Sequence, residues 1–197
     1  MTETEILQIF KDSNALLEGH FVLTSGLHSP HYIEKFRVLE QPKYTEMLCR
    51  ELAAKFKDDK ITVVVGPMTG GIILAYETGK QLGTKAIFTE RVEGKMKFRR
   101  GFTLSPVDRV LIVEDIITTG GSVMEVIDAI KAVGENTNNG VPTIAGIGSL
   151  VDRSSGKTKF DYPFKPLVTM DVVSYKPEEC PLCKANVPIT KPGSTNK

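Results

Sequence analysis

VLIVEDIITTGGSV, residues 110–123, sets four apolar side chains directly against two acids, then two threonines, two glycines and a serine. Residues 110–113 read as a strand buried on both faces. Glu114 and Asp115 are an expensive way to end it. Adjacent carboxylates repel each other, and holding them beside a buried sheet costs free energy unless something binds them. The next residues are Ile116, Ile117, Thr118, Thr119, Gly120, Gly121 and Ser122. Glycines mixed with hydroxyl residues at a helix start make a nest of backbone N–H groups. The helix dipole and the hydroxyl donors then favour a phosphate. The acids would repel that phosphate, so they face another part of the same ligand. A sugar with vicinal hydroxyls fits, with two carboxylates accepting from two hydroxyls while the loop holds a 5-phosphate. The string describes a site for ribose 5-phosphate.

Outward from this stretch, strands and helices alternate. Residues 61–65 are a β-branched run, a second buried strand ended by Gly66 and Pro67. Thr69 is placed to cap a helix running to residue 82. Residues 86–88, 143–151 and 167–173 read as further strands. Residues 122–133 form the helix after the nest, and 135–140 a polar loop. Residues 43–56 form an amphipathic helix with Met47, Leu48, Leu52 and Phe56 on one face. Residues 3–17 have helical apolar spacing with a break near Asp12, Ser13 and Asn14. Residues 19–29 read as a strand and turn, 31–35 as its return strand. The Pro-rich chain from Lys176 reads as an extended surface tail. This order predicts an α/β fold, a mostly parallel central sheet with helices on both faces. Such sheets bind ligands outside the carboxyl ends of their strands, where Glu114 and Asp115 stand. No repeat or linker interrupts the chain. Residues 1–197 are expected to form a single domain, with a core over 41–175 and a small hood from 1–40 and the tail.

Composition narrows the classes. The 197 residues are 41% apolar and 25% charged, an ordinary globule long enough to bury a sizeable core. A net charge of +1 gives no global attraction for nucleic acid or anionic membrane, and neither is expected as a partner. The start lacks a signal-peptide pattern, and no apolar run approaches the roughly 20 residues a bilayer requires, so a cytoplasmic protein is expected. Three cysteines, Cys49, Cys180 and Cys183, fit a reducing compartment. Cys180 and Cys183 form a C-x-x-C, but a structural zinc usually takes four ligands and no histidine follows. The pair reads as a packed turn. His28 and His31 are not spaced as a metal pair, so no metal ligand is assigned. A Walker A loop is absent, since Gly79-Lys80 is followed by Gln81, and so is G-x-G-x-x-G.

Three more segments carry chemistry. Pro67-Met68-Thr69-Gly70-Gly71 offers a second anion nest. Residues 91–100 carry five cations and one acid and read as a long mobile loop or hairpin. Beside a departing diphosphate, such a lid would stabilise the leaving group and exclude water. Arg153, at the end of the 143–151 strand, has the planar fork that suits a carboxylate or carbonyl.

Together these segments resemble the type I phosphoribosyltransferases, and their orotate-specific branch in its compact bacterial and archaeal form. VLIVEDIITTGGSV resembles the family's phosphoribosyl diphosphate (PRPP) signature. HFVLTSGLHSPHYIEK, VVVGPMTGGIILA, FTERVEGKMKFRRGF, SLVDR and the terminal CPLC and PITKPGS follow in the same order as in that branch. The resemblance implies transfer of a phosphoribosyl group from PRPP to orotate. Mg²⁺ would arrive with PRPP, in a homodimer that shares its mobile loop across the interface. PRPP contacts are implied at residues Glu114 to Ser122, Lys35, Pro67, Thr69 and Gly70. Lys95, Arg91 and Lys97 are implied as catalytic contacts, and Thr118 and Arg153 as orotate contacts. Many relatives carry a lysine where this chain has Thr24, and Lys35 is taken to replace it. Thr24, Ser25, Gly26, His28 and Ser29 are expected to hood the base.

Overall fold

In the computed structural model, Val63 and Val65 point to one side of a sheet and Val64 to the other, and Val110 and Ile112 alternate likewise with Leu111 and Val113. All are fully buried, so both sides of these strands are covered. The structure describes residues 1–23, 25–137 and 140–190. Its elements run α1 (Glu3–Asp12), β1 (Leu16–Val22), β2 (His28–Ile33), α2 (Phe36–Leu39), α3 (Pro42–Ala54), β3 (Val63–Pro67), α4 (Gly70–Leu82), β4 (Lys85–Val92), β5 (Lys95–Phe98), β6 (Arg109–Ile117), α5 (Gly121–Thr137), β7 (Thr143–Asp152) and β8 (Phe164–Thr169). A 3-10 turn (Pro177–Glu179) and α6 (Pro181–Lys184) follow.

Six strands form one sheet in the order β5-β4-β3-β6-β7-β8. Only β5 is antiparallel to its neighbour. Side chains of α1 to α4 pack with Val64, Leu111, Val113 and Val151 on one face. On the other, Val123, Val126, Ile127 and Ile130 of α5 pack against Val63, Val65, Val110 and Ile112. This is the expected α/β architecture, with β3 and β6 adjacent and their carboxyl ends side by side. A separate antiparallel hairpin, β1–β2, stands apart as the hood.

The local differences have physical causes. Leu16 and Leu17 belong to β1, not to the first helix. Ser13 Oγ donates to the Ile9 carbonyl at 2.8 Å, and Asn14 turns the chain at φ 53°. Leu16 still packs on the same core, which explains its helix-like spacing. α5 continues to Thr137, past the expected loop start at residue 135; Asn138 and Asn139 lie outside the described residues. β8 stops at Thr169 because the chain beyond leaves the sheet for the hood. Ser29 Oγ donates to the Val173 carbonyl at 2.9 Å, and His28 and Tyr175 exchange two backbone hydrogen bonds of 2.8 Å. The tail, expected to be extended, forms two short helical turns and returns to β1, where the Thr190 N–H donates to the His20 carbonyl at 2.7 Å. Among the described residues no helix is long and apolar enough to cross a membrane.

Candidate active site

Successive residues of a strand face opposite sides, and this decides what the two acids can do. Asp115 opens into a cavity of about 920 Å³ bounded by Tyr32, Lys35, Thr118 and Arg153. Glu114 opens into a smaller one of about 280 Å³ with the loop that follows β6. The sequence suggested two carboxylates side by side; the pleat sends them to different sides of the strand end. Ile116, Thr118 and Thr119 line both cavities, so one ligand astride the loop reaches both acids.

Each acid resolves its burial differently. Asp115 is 2% exposed and pairs with Lys35, whose Nζ donates to Oδ1 at 2.9 Å and lies 2.8 Å from Oδ2. Burial pulls the Lys35 ammonium down, but the charge and hydrogen bond of Asp115 outweigh it and leave its pKa raised. Glu114 has no cation of its own. Burial first, then the charge of Asp115, push its pKa up to about 8, although the Asp115 N–H donates to its Oε1 at 3.0 Å. This favours the protonated form of Glu114, in which the carboxyl can donate as well as accept.

Beyond the acids the chain turns sharply into α5. Gly120 sits at φ 79°, and a Cβ there would come within 2.9 Å of the Phe160 ring, so both conformation and space call for glycine. Thr158 Oγ1 braces the turn by donating to the Thr118 carbonyl at 2.8 Å. Gly121, Ser122 and Val123, the first turn of α5, front the smaller cavity. First-turn N–H groups have no intrahelical acceptor and lie at the positive end of the dipole. These are the residues the sequence singles out for an anion nest, and they form the start of α5 at the edge of the smaller cavity.

The glycine turn between β3 and α4 rests against Asp115. A Cβ on Gly70 would fall 2.0 Å from Asp115 Oδ2, so only glycine lets the start of α4 approach the acid this closely. Thr69 occupies the N-cap position, but its side chain makes no capping hydrogen bond. The capping role expected of it is therefore not observed. Pro67, Thr69 and Gly70 lie beside Asp115's strand without lining either cavity.

Arg153 closes the larger cavity. Its backbone N–H donates to the Ile117 carbonyl at 2.7 Å, which ties the β7 end to the β6 end. The buried Asp152 carboxylate shapes the turn by accepting from the Ser154 N–H at 2.8 Å and the Gly156 N–H at 3.2 Å. Burial lowers the pKa of the Arg153 guanidinium, with Tyr32 acting in the opposite sense. Among the described residues no carboxylate pairs with Arg153, so its fork is open to a ligand. Leu23, Ser25 and Leu27 of the hood stand across the cavity; Thr24 lies outside the described residues. His28 and Ser29, expected over the base, are buried elsewhere, because β2 turns them toward the tail.

The cationic segment is a hairpin. Glu93 and Gly94, both at positive φ, form the two-residue turn between β4 and β5. Met96 is 8% exposed and anchors it, while Arg91, Lys95 and Lys97 are exposed. Arg91 donates to the Gly94 carbonyl at 2.7 Å and to Glu125 Oε1 at 3.1 Å, and Glu125 borders the smaller cavity. Lys97 pairs with Glu93 at 3.3 Å. Lys95 and Lys97 reach neither cavity within this one chain.

Sequence reasoning passed over Tyr32, Asp152 and Glu125 as parts of the site. The C-x-x-C reads from sequence as a packed or surface turn in the tail, with a zinc shared across a dimer as the alternative. The structure instead places Cys180 and Cys183 against His20 and His28, all four ligand atoms within 4.8 Å of one another. Paired cysteines and paired histidines were the available signal, separated by about the whole chain.

Comparison with known proteins agrees with this geometry. The family model described as "Phosphoribosyl transferase domain" matches residues 38–180. The orotate phosphoribosyltransferase of Chlorobaculum parvum is 53% identical over 194 residues, covering 98% of this chain and 97% of that protein. That of a Thermoanaerobacter species is 50% identical over 194 residues, covering 98% of each. Among solved structures, orotate phosphoribosyltransferase from Aeropyrum pernix superposes with a TM-score of 0.64 at 25% identity, over 84% of this chain and 93% of that one.

Proposed function

The chain belongs to the phosphoribosyl transferase family, and from that premise we propose that it joins orotate to PRPP, giving orotidine 5′-phosphate and diphosphate, a step of pyrimidine (UMP) biosynthesis. One observation carries the reading. Arg153, which pairs with no carboxylate among the described residues, and the Lys35–Asp115 pair line one cavity that adjoins the turn into α5.

The roles follow from position. The first turn of α5 binds the 5-phosphate. Asp115 and Glu114, on the two sides of the strand end, bind the ribose hydroxyls, Asp115 as acceptor and Glu114 as donor or acceptor. Arg153, with Thr118, holds the carboxylate or carbonyl edge of orotate. That sets N1 near C1 of the ribose. Bond formation from N1 to C1 and cleavage of C1–O to diphosphate proceed with positive charge on the sugar, and the N1 proton is released. Positioning and charge stabilisation supply the rate, with no single general base required. Pro67, Thr69 and Gly70 hold the diphosphate beside Asp115. Mg²⁺ fits the hard oxygen donors at this strand end and would be held chiefly by the phosphate and ribose oxygens, neutralising the diphosphate as charge builds on it. Arg91, Lys95 and Lys97 act last, as a lid over the leaving group. Since Lys95 and Lys97 reach neither cavity of their own chain, a homodimer that lends the hairpin to the neighbouring site accounts for them best. The same reading makes residues 1–197 one domain, acting in the cytoplasm.

The test is the absorbance loss of orotate with PRPP and Mg²⁺, with uracil, hypoxanthine and adenine in parallel. Loss confined to orotate and dependent on PRPP is expected. Consumption of another base instead would overturn the assignment of Arg153.

A further inference from the structure

His20 and His28 lie diagonally across β1 and β2, on the side of the hood that faces the tail, where α6 brings Cys180 and Cys183. His20 is 1% exposed, His28 6% and Cys180 fully buried. Side chains of this polarity do not gather in a core without a shared partner. We propose that His20, His28, Cys180 and Cys183 bind a structural Zn²⁺ that staples the tail to the hood.

The spacing suits that ion. A tetrahedral Cys₂His₂ zinc site has edges of about 3.4 Å between nitrogens and about 3.6 Å between nitrogen and sulfur. The ligand atoms here are already near those values. His20 Nε2 stands 3.6 Å from Cys180 Sγ and 3.7 Å from Cys183 Sγ, and His28 Nδ1 is 3.2 Å from Cys183 Sγ. The nitrogens, 2.8 Å apart, need to part by about 0.6 Å to admit the ion.

The protonation pattern points the same way. His20 Nδ1 lies 2.8 Å from the Val187 carbonyl, which can only accept, so Nδ1 carries the proton and Nε2 turns a lone pair into the cluster. A second partner that fixes the tautomer is the usual company of a metal-bound imidazole. In the empty cluster that lone pair meets a proton on His28 Nδ1 or a weak thiol donor from Cys180 or Cys183, and none of these satisfies all four groups at once. A cation accepts from all four. Two sulfur and two imidazole donors favour Zn²⁺ over Mg²⁺ or Ca²⁺. The cluster contains no free position for a reacting water, so its role is structural. It closes a loop of 160 residues between His20 and Cys180. It also fixes the hairpin that carries Leu23, Ser25, Leu27 and Tyr32 to the cavity. An effect on orotate KM rests on the proposed function; metal content and thermal stability do not.

The untagged chain, purified in reducing buffer without chelator, is analysed for metal. About one zinc per chain is expected, lost in Cys183→Ser and in His20→Ala and retained in Cys49→Ser. Chelation should lower the Tm by about 5 °C or more, with recovery on adding Zn²⁺. Should the variants fail to fold, the unaltered chain exchanged with Co²⁺ still decides. Intense tetrahedral visible bands with thiolate charge transfer support the site, and the weak, pale pink spectrum of octahedral Co²⁺ refutes it. A chain without zinc whose Tm ignores both chelator and Zn²⁺ overturns the proposal, as does a Cys180–Cys183 disulfide in freshly prepared protein.

Discussion

The end of β6 and the β4–β5 hairpin both concentrate charge near one site, yet they hold it in opposite ways. At the β6 end the charges are buried and held: Asp115 pairs with Lys35, and burial with the Asp115 charge raises the pKa of Glu114. On the hairpin, Arg91 and Lys97 pair with surface acids, and Lys95 stands exposed. Buried pairs set geometry before a ligand arrives. Exposed pairs are cheap to break, since each contributes about 0–1 kcal/mol, so the hairpin can leave them to close on a ligand. In the proposed function, one region binds and the other acts after binding.

Substitutions can break this contrast. Asp115→Asn should be the most damaging, since it removes the proposed ribose acceptor and leaves Lys35 charged and half-buried without its partner. A loss of about 10³-fold in kcat/KM for PRPP is expected from steady-state kinetics. Lys95→Ala should lower kcat by about 10²-fold with little change in orotate KM, as for a group that acts on developing charge. A rise in KM alone would return the hairpin to the binding class. Gly70→Ala should raise the KM for PRPP by about tenfold, because the added methyl displaces Asp115. Unchanged kinetics would show that the two nests move independently.

The smallest effect is one of stability. Burial and the charge of Asp115 push the Glu114 pKa up from its ordinary 4.5 to about 8. Between those values the folded state holds a proton that the unfolded state has lost. The stabilisation is therefore complete below about pH 4.5, declines as pH rises toward 8 and is gone above it. Melting curves across this range should show the decline, and Glu114→Gln should flatten it.

How much of this was legible in the sequence varies with range along the chain. The buried runs at 63–65 and 110–113 and the glycine-hydroxyl nest are local patterns, so the parallel sheet and its ligand-binding end could be read directly. The hairpin was half legible, because the positive φ at Glu93 and Gly94 selects a turn, while its docking on Glu125 depends on a helix 34 residues away. The Lys35–Asp115 pair spans 80 residues, and the protonation of Glu114 follows from burial that only the packed sheet supplies. The sense in which each acid faces follows from the pleat and could have been read, since adjacent strand residues never share a side. The histidine–cysteine cluster was the least accessible, because its halves meet only when the tail folds back onto the hood.

The contrast between binding and acting is tested most directly by titration calorimetry of PRPP with Mg²⁺ against Asp115→Asn and Lys95→Ala, each paired with a single-turnover rate. The account predicts that Asp115→Asn weakens PRPP binding by at least about 30-fold, while Lys95→Ala binds within about threefold of the unaltered chain and turns over slowly. Near-normal PRPP affinity in Asp115→Asn, with binding lost in Lys95→Ala, would contradict it.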